Sequence, residues 1–597
     1  MKRLSGLAVA LALAGLPAEA LAVTGAVDLA PLSTQETPIV SRDNRTLSGF
    51  YLAGRQAGLS KDLIGAANFY TAALEKDPEN PELLDRALLL NIASGNITKA
   101  AELATPVLER APEDQLALLA LSVARFRTGA VDEAIAHTQK MKGLGGPLQA
   151  LIGTLLEAWM MAENGQPAQA ISLLDELEGP AWVGAFTRLH AGMIADQAGL
   201  FEISRSRLGD AYADDSTDLR LVEAYARTLA RAGDKAGAIG VIDNFQRQTG
   251  AIDRVTERLR EAIETGDVAP HVATPRTGLA EALYGIGRGV GNNDNTLAAS
   301  MLQLSLFVTP NADFPAMALG SVLESMSQHQ AAIDVYRMVP SEAALHREAS
   351  MQEALNLNVL KRHEEAIALL DDLVEEDPDD VAAAVALGNV HRSLEQFAEA
   401  ATVYGSAIDA FDEVPPQLWT LFYYRGIALE RTDRWREAEA DFRKALELSP
   451  EHPLVLNYLG YSYIDRGENL DEAVDMVRGA VEQRPDDGYI VDSLGWAFYR
   501  LGRYEDAVEQ LERAVSLRPG DPVINDHLGD AYWKVGRKLE ATFQWAHARD
   551  SDPDAKELPK ILRKLAVGLD AADEETTDTA EADPVATEDD QAPSTAQ

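Results

Sequence analysis

Apolar and polar residues alternate along this chain with the period of a helix rather than a strand. The clearest stretch is near the C-terminus. There, LFYYRGIALERTDRWREAEADFRKALELSP (421–450), VLNYLGYSYIDRGENLDEAVDMVRGAVEQRP (455–485), IVDSLGWAFYRLGRYEDAVEQLERAVSLRP (490–519) and INDHLGDAYWKVGRKLEATFQWAHARDSDP (524–553) are four versions of one pattern. Each holds two runs with apolar residues three and four apart, which predicts two amphipathic helices joined by a short polar turn. Gly426, Gly460, Gly495 and Gly529 recur at steps of 34, 35 and 34, and Pro450, Pro485, Pro519 and Pro553 follow the same step. A helix pair repeated at that period cannot bury its apolar face alone, so neighbours must stack. The prediction is an all-α, elongated solenoid without strands. Such a solenoid offers a long surface, which points to binding another chain.

With Gly426 as the eighth residue, the unit opens at Trp419. Small residues recur at position eight, at position twenty (Ala438, Ala507, Ala541) and at position twenty-seven (Ala445, Ala514, Ala548). A large residue holds position twenty-four (Phe442, Leu511, Trp545), and proline falls at thirty-two, where it cannot continue a helix. The 455–485 copy has one extra residue, in the turn Gly467–Leu470, so its alanines are Ala473 and Ala480. This pattern resembles the tetratricopeptide repeat (TPR) family, which implies a right-handed superhelix of helix–turn–helix units. Fainter copies extend backwards: Gly388, Ala400 and Tyr404; Ala354, Ala366 and Leu370; Gly320, Ala332 and Tyr336; and a degenerate unit at 279–312. At the other end, Gly54, Ala66, Tyr70, Ala73 and Pro78 define a first unit, and Ala100, Ala134, Ala170 and Ala238 mark later ones. Six units are expected over 47–250, a connecting helix and loop over 251–278, and a second array over 279–555. The amphipathic stretch Leu558–Ala566 predicts a final helix (556–569) that caps the last unit.

Composition changes the picture at the two ends. Lys2 and Arg3, the apolar run Leu4–Leu16 and the small-x-small motif Ala20–Ala22 read as a cleaved signal peptide over 1–22, followed by an N-terminal segment over 23–46. The expected location is the periplasm, with no membrane insertion. Cysteine is absent, which removes disulfides, thiolate metal sites and a lipid-bearing cysteine after the signal. The net charge of −42 argues against nucleic acid, which needs a basic stripe. Residues 570–597 hold ten acids and no Lys or Arg, the composition of a disordered acidic tail.

Chemistry is not evident. The run Gly285–Gly291 lacks the third glycine of a dinucleotide loop and no strand precedes it, so it reads as a loop rather than a phosphate cradle. The histidines are scattered, and Ser462 lies mid-helix without the second glycine of a nucleophile elbow. No enzyme activity, cofactor or metal is expected.

Positions 2, 5, 6, 9, 12 and 13 of the first helix share one face. In TPR proteins that face lines the concave groove. The resemblance therefore places Tyr423, Tyr424 and Arg431 in the groove from the 419 unit, and Asn457, Tyr458, Tyr461 and Asp465 from the 453 unit. The 488 unit adds Tyr489, Asp492, Trp496, Tyr499 and Arg500, and the 522 unit Asp526, His527, Asp530, Trp533 and Lys534. Residues 419–545 carry nine of the 16 Tyr and five of the 7 Trp, and such residues dominate binding hot spots. The expected partner is an extended peptide or a partner helix. The aspartates would repel a carboxylate, which argues against a clamp for acidic C-termini. The repetition of NYLGY, DSLGW and HLGDAYW over 419–550 is similar to a bacterial envelope TPR subfamily whose members include adaptors of C-terminal processing proteases. That resemblance implies an exported scaffold delivering substrates to a periplasmic protease. The alternative is a docking subunit of a secretion or polysaccharide-export assembly.

Overall fold

In the computed structural model, the structure describes residues 46–570 except 143–144, 251–253, 292–293 and 379. The signal-peptide and acidic-tail expectations therefore fall almost wholly outside the described residues. Within the described residues there are thirty α-helices and no strand. They form fourteen antiparallel pairs, one single helix (Arg254–Thr265) and one terminal helix (Leu558–Val567).

Three local devices make each pair. Aspartate or asparagine caps many first helices; Asn80, Asp114, Asp218, Asp380, Asp487 and Asp521 each accept a backbone N–H of the first turn. Position fifteen, in the turn between the helices, takes a left-handed conformation. Glycine supplies it at Gly95, Gly129, Gly165, Gly199, Gly233, Gly467, Gly502 and Gly536, and Lys61, Ser327, Lys361, Glu395 and Asp433 adopt it elsewhere. The third device is the meeting of positions eight and twenty-four. A Cβ on Gly388 would lie 2.4 Å from the Tyr404 ring, one on Gly426 2.8 Å from Phe442, and one on Gly529 2.4 Å from Trp545. The large side chain thus lies flat on a bare helix backbone.

The described residues fall into two compact units, 46–377 and 378–570. This division does not coincide with residues 251–278. The helix Arg254–Thr265 packs on Lys235–Thr249, Arg254 pairs with Asp377, and Arg258 donates to the Glu342 carbonyl (2.8 Å).

In the first unit the pair Pro275–Val290 and Asn295–Val308 does more than stack on the following repeat. Pro275–Val290 also lies against Pro147–Glu163 and Ala181–Gln197, and Asn295–Val308 against Pro81–Ala93. These are first helices of the preceding repeats, so the pair occupies their inner face. Glycine is what lets it approach. A Cβ on Gly278 would sit 2.3 Å from the fully buried Trp159 ring, and one on Gly285 3.1 Å from the Phe186 ring. The expectation of a glycine loop at 285–291 is corrected here: the helix continues to Val290, and Gly285 and Gly287 serve close packing, the latter with a Cβ that would fall 2.8 Å from Leu302 within the pair.

A buried ion cluster holds the pair in place. Arg220 makes two bonds to Glu281 (2.9 and 2.6 Å) and one to Glu223 (2.5 Å), and Arg288 pairs with Asp218. Burial by itself would raise the Glu281 carboxyl; the Arg220 guanidinium outweighs it and holds the group well below the ordinary carboxylate value.

Two substitutions test this account. Gly529→Ala should destabilise the last repeats by about 1–3 kcal/mol, because Trp545 cannot retreat while its Nε1 donates to Asp530 (2.9 Å). Arg220→Ala should cost the first unit about 3–5 kcal/mol by leaving Glu281 buried without its partner. Urea unfolding followed by far-UV circular dichroism checks both; a wild-type midpoint in either variant would refute the corresponding contact.

Candidate binding surface

The second unit presents the first helices Trp419–Glu430, Pro453–Arg466, Gly488–Arg500 and Pro522–Lys534 in succession. Their second helices supply the packing behind them, and Leu421, Val455, Ile490 and Ile524 at position three are buried. That leaves the face read from the sequence, and its residues behave in three different ways.

Some are packing residues. Tyr423 is 5% exposed, and its ring sits 5.4 Å from Tyr424, 6.2 Å from Phe442 and 6.0 Å from Tyr458. Asp492 is buried, with both carboxylate oxygens next to His527 Nδ1 (3.0 and 3.1 Å). Asp530 is buried between Trp545 Nε1 (2.9 Å) and Lys564 Nζ (2.7 Å). These three were expected to line the groove. They are corrected to packing beneath the candidate face, because the Tyr423 ring is buried among other rings and the carboxylates of Asp492 and Asp530 are taken by neighbours.

Others remain half-buried with a face to offer. Tyr424 stacks on Tyr404 (5.9 Å) under the Arg392 guanidinium (4.7 Å). Tyr458 donates its hydroxyl to Glu430 (3.2 Å). The Tyr461 hydroxyl is pushed up to about 12, by burial first and then by Asp492 and Asp465, so it stays a neutral donor. Asn457 is half-buried, and its Oδ1 accepts no hydrogen bond among the described residues. Trp496 stacks between Tyr499 (4.7 Å, 10°) and His527 (4.1 Å, 17°). Arg500 is exposed and reaches the Asp465 carboxylate (3.4 Å) and carbonyl (3.2 Å). Tyr424, Tyr458, Tyr461, Trp496 and Tyr499 thus put aromatic surface on three consecutive repeats.

The last repeat differs because the chain itself covers part of it. Lys564, on the helix Leu558–Val567, donates to Asp526 and Asp530 (2.7 Å each). Trp533 lies beneath Gly568 and donates its Nε1 to Asp570 (2.8 Å). Sequence reasoning placed a capping helix here but missed that Lys564 and Asp570 reach groove positions; an isolated lysine in a helix carries no signal of which carboxylates it will meet. It also missed Arg392, whose stacking on Tyr424 depends on a contact between successive repeats.

The charge balance of the face is therefore not the one read from the sequence. Asp492 is met by His527, and Asp526 and Asp530 by Lys564. The argument that these aspartates would repel a carboxylate does not hold for the folded chain.

With this geometry, the comparisons with known proteins fall into place. Residues 87–145 and 352–488 match models described as tetratricopeptide repeat, and 495–536 match one described as TPR repeat. Over those segments the chain carries tetratricopeptide repeats, and TPR proteins mediate protein–protein interactions. Among curated proteins, the chain is 29% identical over 190 residues to the TPR repeat-containing protein PA4667 of Pseudomonas aeruginosa, covering 32% of this chain. The match spans 31% of that relative's length. Among solved structures, a tetratricopeptide repeat protein from Parabacteroides merdae is similar over 42% of this chain and 97% of its own (14% identity, TM-score 0.36). The APC/C hetero-tetramer Cut9–Hcn1 is similar over 87% of this chain and 96% of that one (12% identity, TM-score 0.36). YrrB, a TPR protein with an unusual peptide-binding site, is similar over 31% and 94% (20% identity, TM-score 0.26).

The His527 contacts give a pH test. Burial alone would lower its pKa, but the nearby carboxylates of Asp492, Asp526 and Asp530 outweigh that and raise it above the ordinary value. A raised folded-state pKa adds stability that is full below about 6.5 and is lost as pH rises through the folded value. The wild type should therefore lose stability relative to His527→Gln as pH climbs above neutrality. Urea midpoints at stepped pH, with tryptophan emission reporting on Trp496, measure this; parallel pH curves for the two proteins would refute it.

Proposed function

We propose that this chain is an exported scaffold that binds protein segments through the face of 419–534 and delivers them to a protease in the bacterial envelope. The observation that carries the binding surface is the run of half-buried aromatics on three successive repeats, Tyr424, Tyr458, Tyr461, Trp496 and Tyr499, interleaved with Arg392, Asn457 and Arg500. Tyr and Trp combine apolar area with a polar handle and lose little conformational freedom on binding. Asn457 Oδ1 is an acceptor still without a donor, and a backbone N–H of an extended peptide would supply one.

Export is supported by Lys2, Arg3, the apolar run Leu4–Leu16 and Ala20–Ala22. Among the described residues no helix is long and apolar enough to cross a membrane. Delivery to a protease is supported by the similarity of NYLGY, DSLGW and HLGDAYW to envelope adaptors. The repeat fold is generally a non-catalytic scaffold, so the chain's contribution is selection and placement.

The test is affinity capture from envelope extract. A protease together with varied client proteins is the expected catch; a fixed stoichiometric set without one would instead make the chain a docking subunit. Trp496→Ala and Tyr461→Ala should each weaken capture by about 2 kcal/mol, roughly thirtyfold, while the variants still melt cooperatively. Undiminished capture by both folded variants would move the binding site away from this face.

A further inference from the structure

The segment Gly568–Asp570 sits on the last repeat as a bound peptide would. Gly568 has φ +82, and a Cβ there would fall 2.3 Å from the Trp533 ring, so both its conformation and its contact require glycine. Leu569 is buried at 2% exposure. The Asp570 carboxylate accepts from Trp533 Nε1 (2.8 Å) and Lys534 Nζ (2.9 Å), one oxygen to each donor. Glycine flat on an indole, an apolar side chain tucked in, and a carboxylate shared by an indole N–H and an ammonium make a three-part recognition unit. Trp533 and Lys534 stand at positions twelve and thirteen of their helix. Tyr499 and Arg500 hold the same two positions one repeat earlier, so the aromatic–cation pairing recurs along the face. The carboxylate end of the contact lies at the surface, with the Asp570 side chain 62% exposed, which leaves it open to exchange.

We propose that Gly568–Asp570 is a pseudo-ligand held in cis by Trp533 and Lys534, and that partner segments carry the same chemistry: a glycine, an apolar residue and a carboxylate. The proposal rests on the reading of 419–534 as a binding face and names what that face selects. A tethered segment competes at the high effective concentration of its own chain, so an outside peptide meets a mostly occupied site. If the cis segment is bound nine-tenths of the time, the apparent affinity of a competitor falls about tenfold.

The probe is a fluorescent peptide of the chain's own sequence, Ala-Val-Gly-Leu-Asp-Ala-Ala-Asp-Glu, titrated into the full chain and followed by anisotropy. Asp570→Ala should bind it about tenfold more tightly than wild type, because the competitor is weakened. Adding Lys534→Glu to Asp570→Ala should abolish the gain. A probe with Asn in place of its first Asp should bind both wild type and Asp570→Ala more weakly than the Asp probe does, because it lacks the carboxylate that Trp533 and Lys534 hold. Equal binding to wild type and Asp570→Ala, or binding indifferent to Lys534→Glu, overturns the proposal. So does an Asp570→Ala chain that melts earlier and gains no peptide affinity, which would make the contact a cap alone. These readouts need no envelope partner. If Trp496→Ala abolishes capture while the peptide shows no gain, only the cis-ligand idea fails; if peptide binding behaves as expected but capture ignores Trp496 and Tyr461, the wider face is at fault.

Discussion

The contact between position eight and position twenty-four carries the fold. Many repeats bring a ring or branched side chain down onto a helix backbone stripped of its Cβ, as Tyr70 does on Gly54, Tyr336 on Gly320 and Trp545 on Gly529, and the others carry a residue such as Ala354 there. This sets how closely the two helices of a pair approach, and so how the next pair must stack. Everything outside that contact is free to vary, because neighbouring repeats supply the remaining burial. The position-fifteen turn shows how far the tolerance runs: glycine fills it in eight repeats, yet Lys61, Glu395 and Asp433 accept the left-handed conformation when packing demands it.

The same device, used across repeats instead of within one, explains the first unit. Gly278 against Trp159 and Gly285 against Phe186 bring a helix pair onto the inner face of the preceding repeats. Arg220, Glu223 and Glu281 then fix it with charges that are satisfied only in that arrangement. A buried ion pair is a poor source of net stability but a strong penalty on misplacement. The inner face of these repeats is thereby occupied by the chain itself. In the second unit, the corresponding face of 419–500 has no such occupant among the described residues, which is why the aromatic surface there remains half-exposed.

The helical solenoid was legible because its cause is periodic. Glycine, alanine and a large residue at fixed steps report directly on helix-pair packing, and Tyr463 and Tyr532 at position eleven are buried as that packing requires. The glycines at 285–291 were misread because a glycine in a close helix crossing and a glycine in a loop look alike in sequence. Only the side chains they meet, Phe186 for Gly285 and Leu302 for Gly287, distinguish them. The proposed binding face was partly legible for a related reason. Helical spacing picks out which residues share a side, and Tyr461, Trp496 and Tyr499 are on it. Spacing does not say which side chains are then spent on neighbours, and Tyr423, Asp492 and Asp530 are.

The electrostatics of the face follow from that last point. Read residue by residue, it is acidic, as the net charge of −42 would suggest. In the folded chain these carboxylates have partners: His527 for Asp492, and Lys564 shared by Asp526 and Asp530. Burying an unpaired charge would cost more than the repeat could offset, so the pairing is a condition of folding there. Once it is made, the aspartates no longer set the potential that a ligand feels. The charged groups nearest the surface are Arg392, Arg431, Arg500 and Lys534, with Glu430 and Asp465 among them. An acidic chain thus builds a face able to accept a carboxylate, and Asp570, held by Trp533 and Lys534, is the case of it already present in the structure.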